Sequence, residues 1–113
     1  MDARDRLVER LRVLLAEEPV TREISMFGGR AFMVNEKLAV CAMKQGELLI
    51  RVAADEQEAL LAQPGAAQAE MGSGREMGAG WIIVDATAID TDDRLEPWLE
   101  RALTHNRAAT GRE

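Results

Sequence analysis

The spacing of hydrophobic residues near the start of the chain is helical. Leucines recur on one stripe, and the arginines around them lie mostly off it. This amphipathic pattern predicts a helix that ends before Pro19, since proline cannot continue one. The residues of the stripe are Leu7, Leu11, Leu14 and Leu15.

After Thr21 the pattern changes to short apolar runs, which predict β-strands. Three runs cover residues 24–27, 30–34 and 37–43, and Asn35-Glu36 would be the two-residue turn between the last two. Asparagine suits the first position of such a turn, whereas glutamate is a poor second residue where glycine is favoured. A fourth run over residues 47–52 alternates between two faces and predicts another strand.

The middle of the chain predicts a short helix followed by an irregular segment. Residues 54–63 have acidic side chains in their first turn, where the helix dipole favours anions, and Pro64-Gly65 follows them. Residues 66–80 are rich in glycine and predict irregular structure with one strand around 68–71. Their glycines match neither a dinucleotide fingerprint nor a Walker loop, so we assign them to turns.

The last third of the chain predicts a central strand and a second long helix. Residues 81–84 are apolar on both faces, which is typical of a strand with neighbours on both sides. Asp93 to Glu96 has the spacing of a capping box, with Pro97 still in the first turn. Residues 106–113 are expected to form a frayed tail. The apolar stripe of this helix is Leu95, Trp98, Leu99, Ala102 and Leu103.

This order of elements predicts the α+β class. We expect a mainly antiparallel sheet of about 4–6 strands, packed with N-terminal, middle and C-terminal helices. The length of 113 residues fits a single domain over residues 1–113, with a core from about residue 4 to residue 105. An apolar content of 47% supports an ordinary hydrophobic core.

The charge of the chain argues against direct nucleic-acid binding. The formal net charge is −6, and residues 52–74 contain acidic side chains but no Lys or Arg. Affinity for nucleic acids comes largely from cations that neutralise phosphates, and the sequence has no basic stripe of that kind. It also has neither a secretory signal pattern nor an apolar run long enough to span a membrane, which predicts a cytoplasmic protein.

Few residues could carry catalysis or bind a metal. Cys41 is the only cysteine, and its place in a strand predicts a small buried hydrophobe. His105 is the only histidine, and we expect it to be solvated or to lie at a helix end, without the partners that a metal site needs. Neither Ser25 nor Ser73 lies in a recognisable triad motif. The sequence therefore indicates no catalytic, metal or cofactor site.

The segment Met26-Phe27-Gly28-Gly29 is the most informative local pattern. Adjacent glycines between two strand-like runs predict a bulge or a tight turn. The alternative is a surface where exposed backbone and an aromatic ring meet a ligand or partner. Arg51 adds to that alternative, because a charge in an apolar strand must face water or find a carboxylate. The candidate interaction surface is Phe27, Gly28, Gly29, Arg51 and Trp81.

Several motifs, taken in order, resemble the TfoX N-terminal domain family over about Leu7 to Leu103. Glu36 stands where the family usually has a turn glycine, and Cys41-Ala42 stands in a region that is often rich in glycine. The motifs that carry the resemblance are Met26-Phe27-Gly28-Gly29, Phe32-Met33-Val34, Leu48-Leu49-Ile50-Arg51-Val52, Gln63-Pro64-Gly65, Gly74-Arg75-Glu76-Met77, Gly80-Trp81 and the helix that contains Trp98.

The resemblance implies an α+β domain of the kind found in regulators of competence and DNA transformation. Those regulators act as co-activators alongside the cyclic-AMP receptor protein rather than as conventional DNA readers. It therefore implies protein partners, with the transcription machinery among the candidates.

Two functions stay open at this point. The first is a non-enzymatic regulatory or protein-interaction module, and the second is a small-ligand-binding domain with a pocket near the Met-Phe-Gly-Gly segment. An enzyme is disfavoured because the sequence offers no nucleophile–base pair. An exposed sheet edge could also pair two chains into a homodimer.

Overall fold

A computed structural model describes residues 2–26, 28–70 and 74–111 of the chain. Short 3-10 turns at Ala54–Glu56 and Ala86–Ile89 precede the second and third helices. Within the described residues the helices are α1 (Ala3–Leu14), α2 (Gln57–Leu61) and α3 (Asp92–Thr110), and the strands are β1 (Val20–Met26), β2 (Gly29–Val34), β3 (Lys37–Ala42), β4 (Leu48–Arg51), β5 (Ala66–Gln68) and β6 (Trp81–Val84).

The six strands form one sheet in the order β1-β2-β3-β4-β6-β5. Every neighbouring pair is antiparallel. Strand β6 has β4 on one side and β5 on the other, which confirms the central strand predicted from its apolar residues. The predicted α+β class, with an antiparallel sheet and N-terminal, middle and C-terminal helices, is confirmed as well.

The main hydrophobic core lies between the helices and one face of the sheet. Leu7, Leu11 and Leu15 of the leucine stripe are buried there and Leu14 is partly buried, while Leu60 of α2 and the apolar stripe of α3 are buried as well. Asp2 caps the start of α1, because its side chain accepts a hydrogen bond of 2.8 Å from the backbone N–H of Asp5. On the sheet side the core includes Phe32, Val34, Val40, Ala42, Leu48, Ile50, Ile82 and Val84.

The opposite face of the sheet carries a second apolar cluster. Alternate residues of a strand point to opposite faces, so the residues between the core positions form this second face. All four methionines of the described residues lie on it, and we call it the methionine face. It consists of Ile24, Met26, Ala31, Met33, Leu38, Cys41, Met43, Leu49, Ala69, Met77, Trp81 and Ile83.

The predicted turn at Asn35-Glu36 joins β2 to β3. Both residues have positive φ, 52° at Asn35 and 69° at Glu36, as a type I′ turn requires. The hairpin forms although Glu36 occupies the position that favours glycine. Other interactions of the folded chain therefore offset the unfavourable backbone conformation of Glu36.

Helix α3 differs from its prediction at the start. It begins at Asp92 with Thr91 as the N-cap residue, so Asp93 does not open a capping box. Pro97 consequently lies beyond the first turn and not within it.

Helix α3 also continues past Asn106 to Thr110, where the sequence predicts a frayed tail. Asn106 is only 3% exposed and bonds to the β2–β3 hairpin. Arg107 attaches the last turn of α3 to the segment after α1, since its guanidinium donates to both carboxylate oxygens of Glu18 at 2.9 and 3.0 Å. Gly111 then ends the helix with a φ of 72°.

The middle segment is more ordered than predicted. Strand β5 covers residues 66–68, slightly before the predicted 68–71, and pairs with β6. Glu70 and Glu76 then form an isolated antiparallel bridge. The end of the predicted strand, at Met71, lies outside the described residues.

Candidate functional site

Gly28 and Gly29 have two separate structural roles in the β1–β2 turn. Gly28 has a φ of 77°, a conformation that glycine adopts at little cost. Gly29 pairs with Met26, and a Cβ atom on it would lie 2.3 Å from the carbonyl oxygen of Ala42. The tight turn predicted from the glycine pair is therefore confirmed. Phe27 lies outside the described residues.

Gly29 lines a polar cavity of about 260 Å³ between α1 and the start of β2. Arg12 is engaged there by two carboxylates, since its guanidinium donates to Glu9 and Glu23 at 2.8 to 2.9 Å. The hydrogen bond between Arg12 and Glu23 lowers the pKa of the Glu23 carboxyl group. Charges of both signs thus meet at this cavity, which is lined by Arg4, Asp5, Val8, Glu9, Arg12, Ser25, Gly29 and Arg30.

Arg51 and Trp81 face each other across β4 and β6. The guanidinium of Arg51 lies over the indole ring, 4.7 Å from the ring centroid, within the range of a cation–π interaction. Arg51 is exposed, so the charge in this apolar strand faces water, one of the two outcomes that the sequence predicts. Stacking on Trp81 holds the side chain in a defined place.

The backbone before Trp81 is held by a glutamine pair. Gln57 accepts from the backbone N–H of Gly80 and donates to the side-chain oxygen of Gln68. Gln68 in turn donates to the carbonyl oxygen of Gly78 at 2.9 Å. Gly80 has a φ of 91°, and a Cβ atom there would lie 2.5 Å from a backbone oxygen of Val52. The Gly80-Trp81 motif therefore fixes the entry into β6.

The predicted site residues do not form one pocket. Gly29 lies beside Ala42, at one end of the sheet, whereas Arg51 and Trp81 lie at the other end. Arg51 is three residues beyond Leu48 on β4, about 10 Å along the strand direction. By strand register, Gly29 and Arg51 occupy positions on the same side of the sheet as Trp81, which belongs to the methionine face.

A second cavity of about 220 Å³ brings together residues that sequence reasoning kept apart. His105 of α3 lies there beside the ends of β3 and β4. The cavity is formed only by tertiary packing, since its residues are far apart in sequence. The one sequence signal was the charge of Arg51 in an apolar strand. The lining residues are Lys37, Leu38, Arg51, His105, Asn106 and Ala109.

His105 is half-buried in this cavity and not simply solvated. Burial lowers its pKa, and the positive charges of Arg51 and Lys37 lower it further. Glu56 acts in the opposite direction. The imidazole is thus kept neutral over a wider pH range than an exposed histidine.

Cys41 is buried in the methionine face, as predicted. Its thiol has a pKa of about 11, because burial disfavours the thiolate. The residue is a thiol at neutral pH and contributes to packing. Among residues 2–26, 28–70 and 74–111, no three His, Cys, Asp or Glu side chains are grouped so that they could hold a metal ion.

None of the helices in the described part of the chain is both long and apolar enough to cross a membrane. No curated protein matches the chain in a sequence comparison. The family model of the TfoX N-terminal domain matches residues 14–106, which begins later than the resemblance expected from Leu7 and ends slightly beyond Leu103. The match covers most of the 113 residues, from the end of α1 to the buried Asn106. The chain therefore belongs to the TfoX N-terminal domain family.

Proposed function

We propose that this chain is a non-enzymatic regulatory module that acts in the cytoplasm by binding other proteins. The transcription machinery is the partner class to test first, because the family resemblance points to co-activators of competence genes. The bound partner would present an apolar surface to the methionine face.

The observation that carries this proposal is that the methionine face is only partly buried and that no helix of the described residues covers it. Ala31, Cys41, Leu49 and Ala69 are buried, and the other residues of the face are partly buried around them. A contiguous apolar surface of this kind marks an interaction site more often than a scattered hydrophobic residue does. Methionine suits such a surface because its flexible side chain adapts to irregular partners. The partly buried residues are Ile24, Met26, Met33, Leu38, Met43, Met77, Trp81 and Ile83.

Charge on the methionine face is unevenly distributed. Arg22 pairs with Met33, and Arg51 pairs with Trp81, so both cations lie at the same end of the sheet. Glu47 precedes β4 and Asp85 follows β6 at the opposite end. We therefore expect the partner surface to carry carboxylates where it meets the arginine end.

The non-enzymatic part of the proposal is supported by the two residues best suited to chemistry. Cys41 is a buried thiol with a raised pKa. His105 lies on α3, on the other side of the sheet from Cys41, among cations and not beside a nucleophile. A nucleophile–base pair would need the two groups within hydrogen-bond reach.

Direct binding measurements test the proposal. The purified chain is immobilised, and RNA polymerase and the cyclic-AMP receptor protein from the same organism are added separately. The double substitution Met26→Gln with Met43→Gln keeps side-chain length but makes one end of the methionine face polar. We expect it to weaken binding at least tenfold, about 1.4 kcal/mol or more.

The matched control is Val13→Thr, because Val13 is 74% exposed on α1, away from the methionine face. This variant should bind like the wild type, and circular dichroism should show that both variants are folded. Light scattering on the chain alone measures whether a second copy occupies the face or a sheet edge. If neither protein binds, or if the double variant binds as tightly as the wild type, the proposal is wrong.

The second candidate function is small-ligand binding. The cavity beside Gly29 lies near the Met-Phe-Gly-Gly segment, but carboxylates and arginines there already meet each other. A ligand that binds at Arg12 would have to displace its pairs with Glu9 and Glu23. The cavity around Arg51 and His105 offers the more suitable chemistry.

A further inference from the structure

We propose that the cavity lined by Lys37, Arg51 and His105 binds a small oxyanion of the phosphate class. Its volume of about 220 Å³ is sufficient for a phosphate group. Three structural elements meet there, since Lys37 begins β3, Arg51 ends β4 and His105 belongs to the last part of α3. Leu38 and Arg51 belong both to this cavity and to the side of the sheet that carries the methionine face, so the proposal is tested on the chain alone, without a partner protein.

Arg51 supplies the directional contact. Its guanidinium carbon lies over the indole ring of Trp81, 4.7 Å from the ring centroid. A guanidinium carries five N–H donors in a fixed fork, so Arg51 can donate to two oxygens of one anion. Since Trp81 already restricts the side chain, less conformational entropy is lost when an anion binds.

Asn106 makes the back of the cavity rigid. Its amide nitrogen donates to the carbonyl oxygens of Val34 at 2.9 Å and Lys37 at 3.5 Å, and its oxygen accepts from Asn35 at 3.3 Å. These bonds use the polar atoms of Asn106 within the fold. The groups left to meet an anion are therefore the side chains of Lys37, Arg51 and His105.

The cavity lining contains cations but no carboxylate. The cavity next to α2 also has arginines and no carboxylate in its lining, but both of its arginines have carboxylate partners nearby. Arg94 and Arg101 line that cavity, and they form ion pairs with Asp90 at 3.4 Å and Glu56 at 3.8 Å. Lys37 and Arg51 thus place two positive charges on the cavity that also contains His105, although the whole chain has a net charge of −6.

The pKa of His105 depends on the charges around the cavity. The charges of Arg51 and Lys37 and the burial of the ring lower its pKa, while Glu56 of the nearby 3-10 turn raises it. Glu56 also pairs with Arg101, which lies on α3 with His105. A bound dianion would offset the two cations, so it would raise the pKa of His105.

The test uses the single histidine of the chain as a reporter. Inorganic phosphate is titrated at low ionic strength and constant pH, and the ring resonances of His105 are followed by NMR. A parallel pH titration with and without sulfate measures the pKa of His105, because the charge of sulfate stays constant. We expect saturable shifts with phosphate and a higher pKa with sulfate, neither of which chloride at equal ionic strength reproduces.

Variants separate the site from general charge effects. Arg51→Gln and Lys37→Gln should each weaken phosphate binding about tenfold, since a charge-assisted hydrogen bond is lost. Arg51→Lys should fall between Arg51→Gln and the wild type, because it keeps the charge but loses the bidentate geometry. The control is Lys44→Gln, which removes an exposed cation from the β3–β4 turn at the other end of the sheet.

The proposal is overturned if phosphate causes no saturable shift, or if chloride gives the same shift. It is also overturned if Lys44→Gln weakens binding as much as Arg51→Gln does. A folded Arg51→Gln variant with unchanged affinity would exclude Arg51 as the anion ligand. None of these outcomes depends on whether a partner protein binds the methionine face.

Discussion

The side-chain amide of Asn106 donates a hydrogen bond of 2.9 Å to the backbone carbonyl oxygen of Val34. This contact attaches the last part of α3 to the end of β2. The same side chain accepts from Asn35 in the neighbouring turn. Asn106 is thus a buried polar link between the longest helix and the β2–β3 hairpin.

Replacing Asn106 with leucine should destabilise the fold. The substitution keeps a similar volume but leaves buried backbone oxygens without their donor, so we expect the free energy of unfolding to fall by about 2 kcal/mol. Urea denaturation measures the change. Thr104→Ala, at an exposed position on the same helix, should change it by less than about 0.5 kcal/mol. Equal effects of the two substitutions would contradict a specific role for Asn106.

Gly29 and Gly28 should differ in their response to alanine. At Gly29 the added Cβ atom would overlap the carbonyl oxygen of Ala42, so the backbone must move, at a cost of about 1–3 kcal/mol. At Gly28 the space is open, and only the positive φ opposes alanine, at a cost of about 1 kcal/mol. Thermal denaturation of both variants checks this order. A greater loss at Gly28 would show that the close approach of β2 to β3 is not limiting.

Glu36 is expected to carry a backbone cost that glycine would remove. The residue has a φ of 69°, a conformation that costs an L-amino acid about 1–2 kcal/mol. Glycine avoids this cost, but part of the gain in stability is lost because glycine makes the unfolded chain more flexible. We compare Glu36→Gly with Glu36→Ala, since both remove the same side-chain interactions. The glycine variant should be more stable than the alanine variant by about 0.5–1 kcal/mol in urea denaturation. Higher stability of the alanine variant would disprove the proposed cost.

His105 should make stability depend on pH. Its pKa is lowered in the folded protein, so the unfolded chain binds the proton first as the pH falls. Between about pH 7.5 and about pH 5.5 the wild type should therefore lose more free energy of unfolding than His105→Gln does. Urea denaturation at several pH values measures the difference. Glu23 has a lowered pKa, and its contribution is lost only at more acidic pH. Parallel pH profiles of the two proteins would contradict the environment assigned to His105.

Much of the fold was predictable because the relevant signals are local. The leucine stripe of α1 and the apolar run of β6 each define an element by their spacing. The glycine pair at residues 28–29 predicts a turn because few other residues tolerate its conformation. These signals do not need distant contacts.

The parts that sequence reasoning missed depend on tertiary contacts. The end of α3 has a weak apolar pattern, and it is held by Asn106 on Val34 and by Arg107 on Glu18. The cavity likewise joins Arg51 and His105 from distant parts of the chain. Spacing along the sequence carries no information about such pairs, so neither the longer helix nor the cavity was predicted.

Methyl NMR tests the central claim, that the methionine face is the protein-binding surface, most directly. The chain is labelled with ¹³C at methionine and valine methyl groups, and RNA polymerase is added. We expect the signals of Met26, Met33, Met43 and Met77 to shift or broaden while those of Val13 on α1 stay unchanged. Shifts at Val13 with unchanged methionine signals, or no change at any of these methyl groups, would contradict the account.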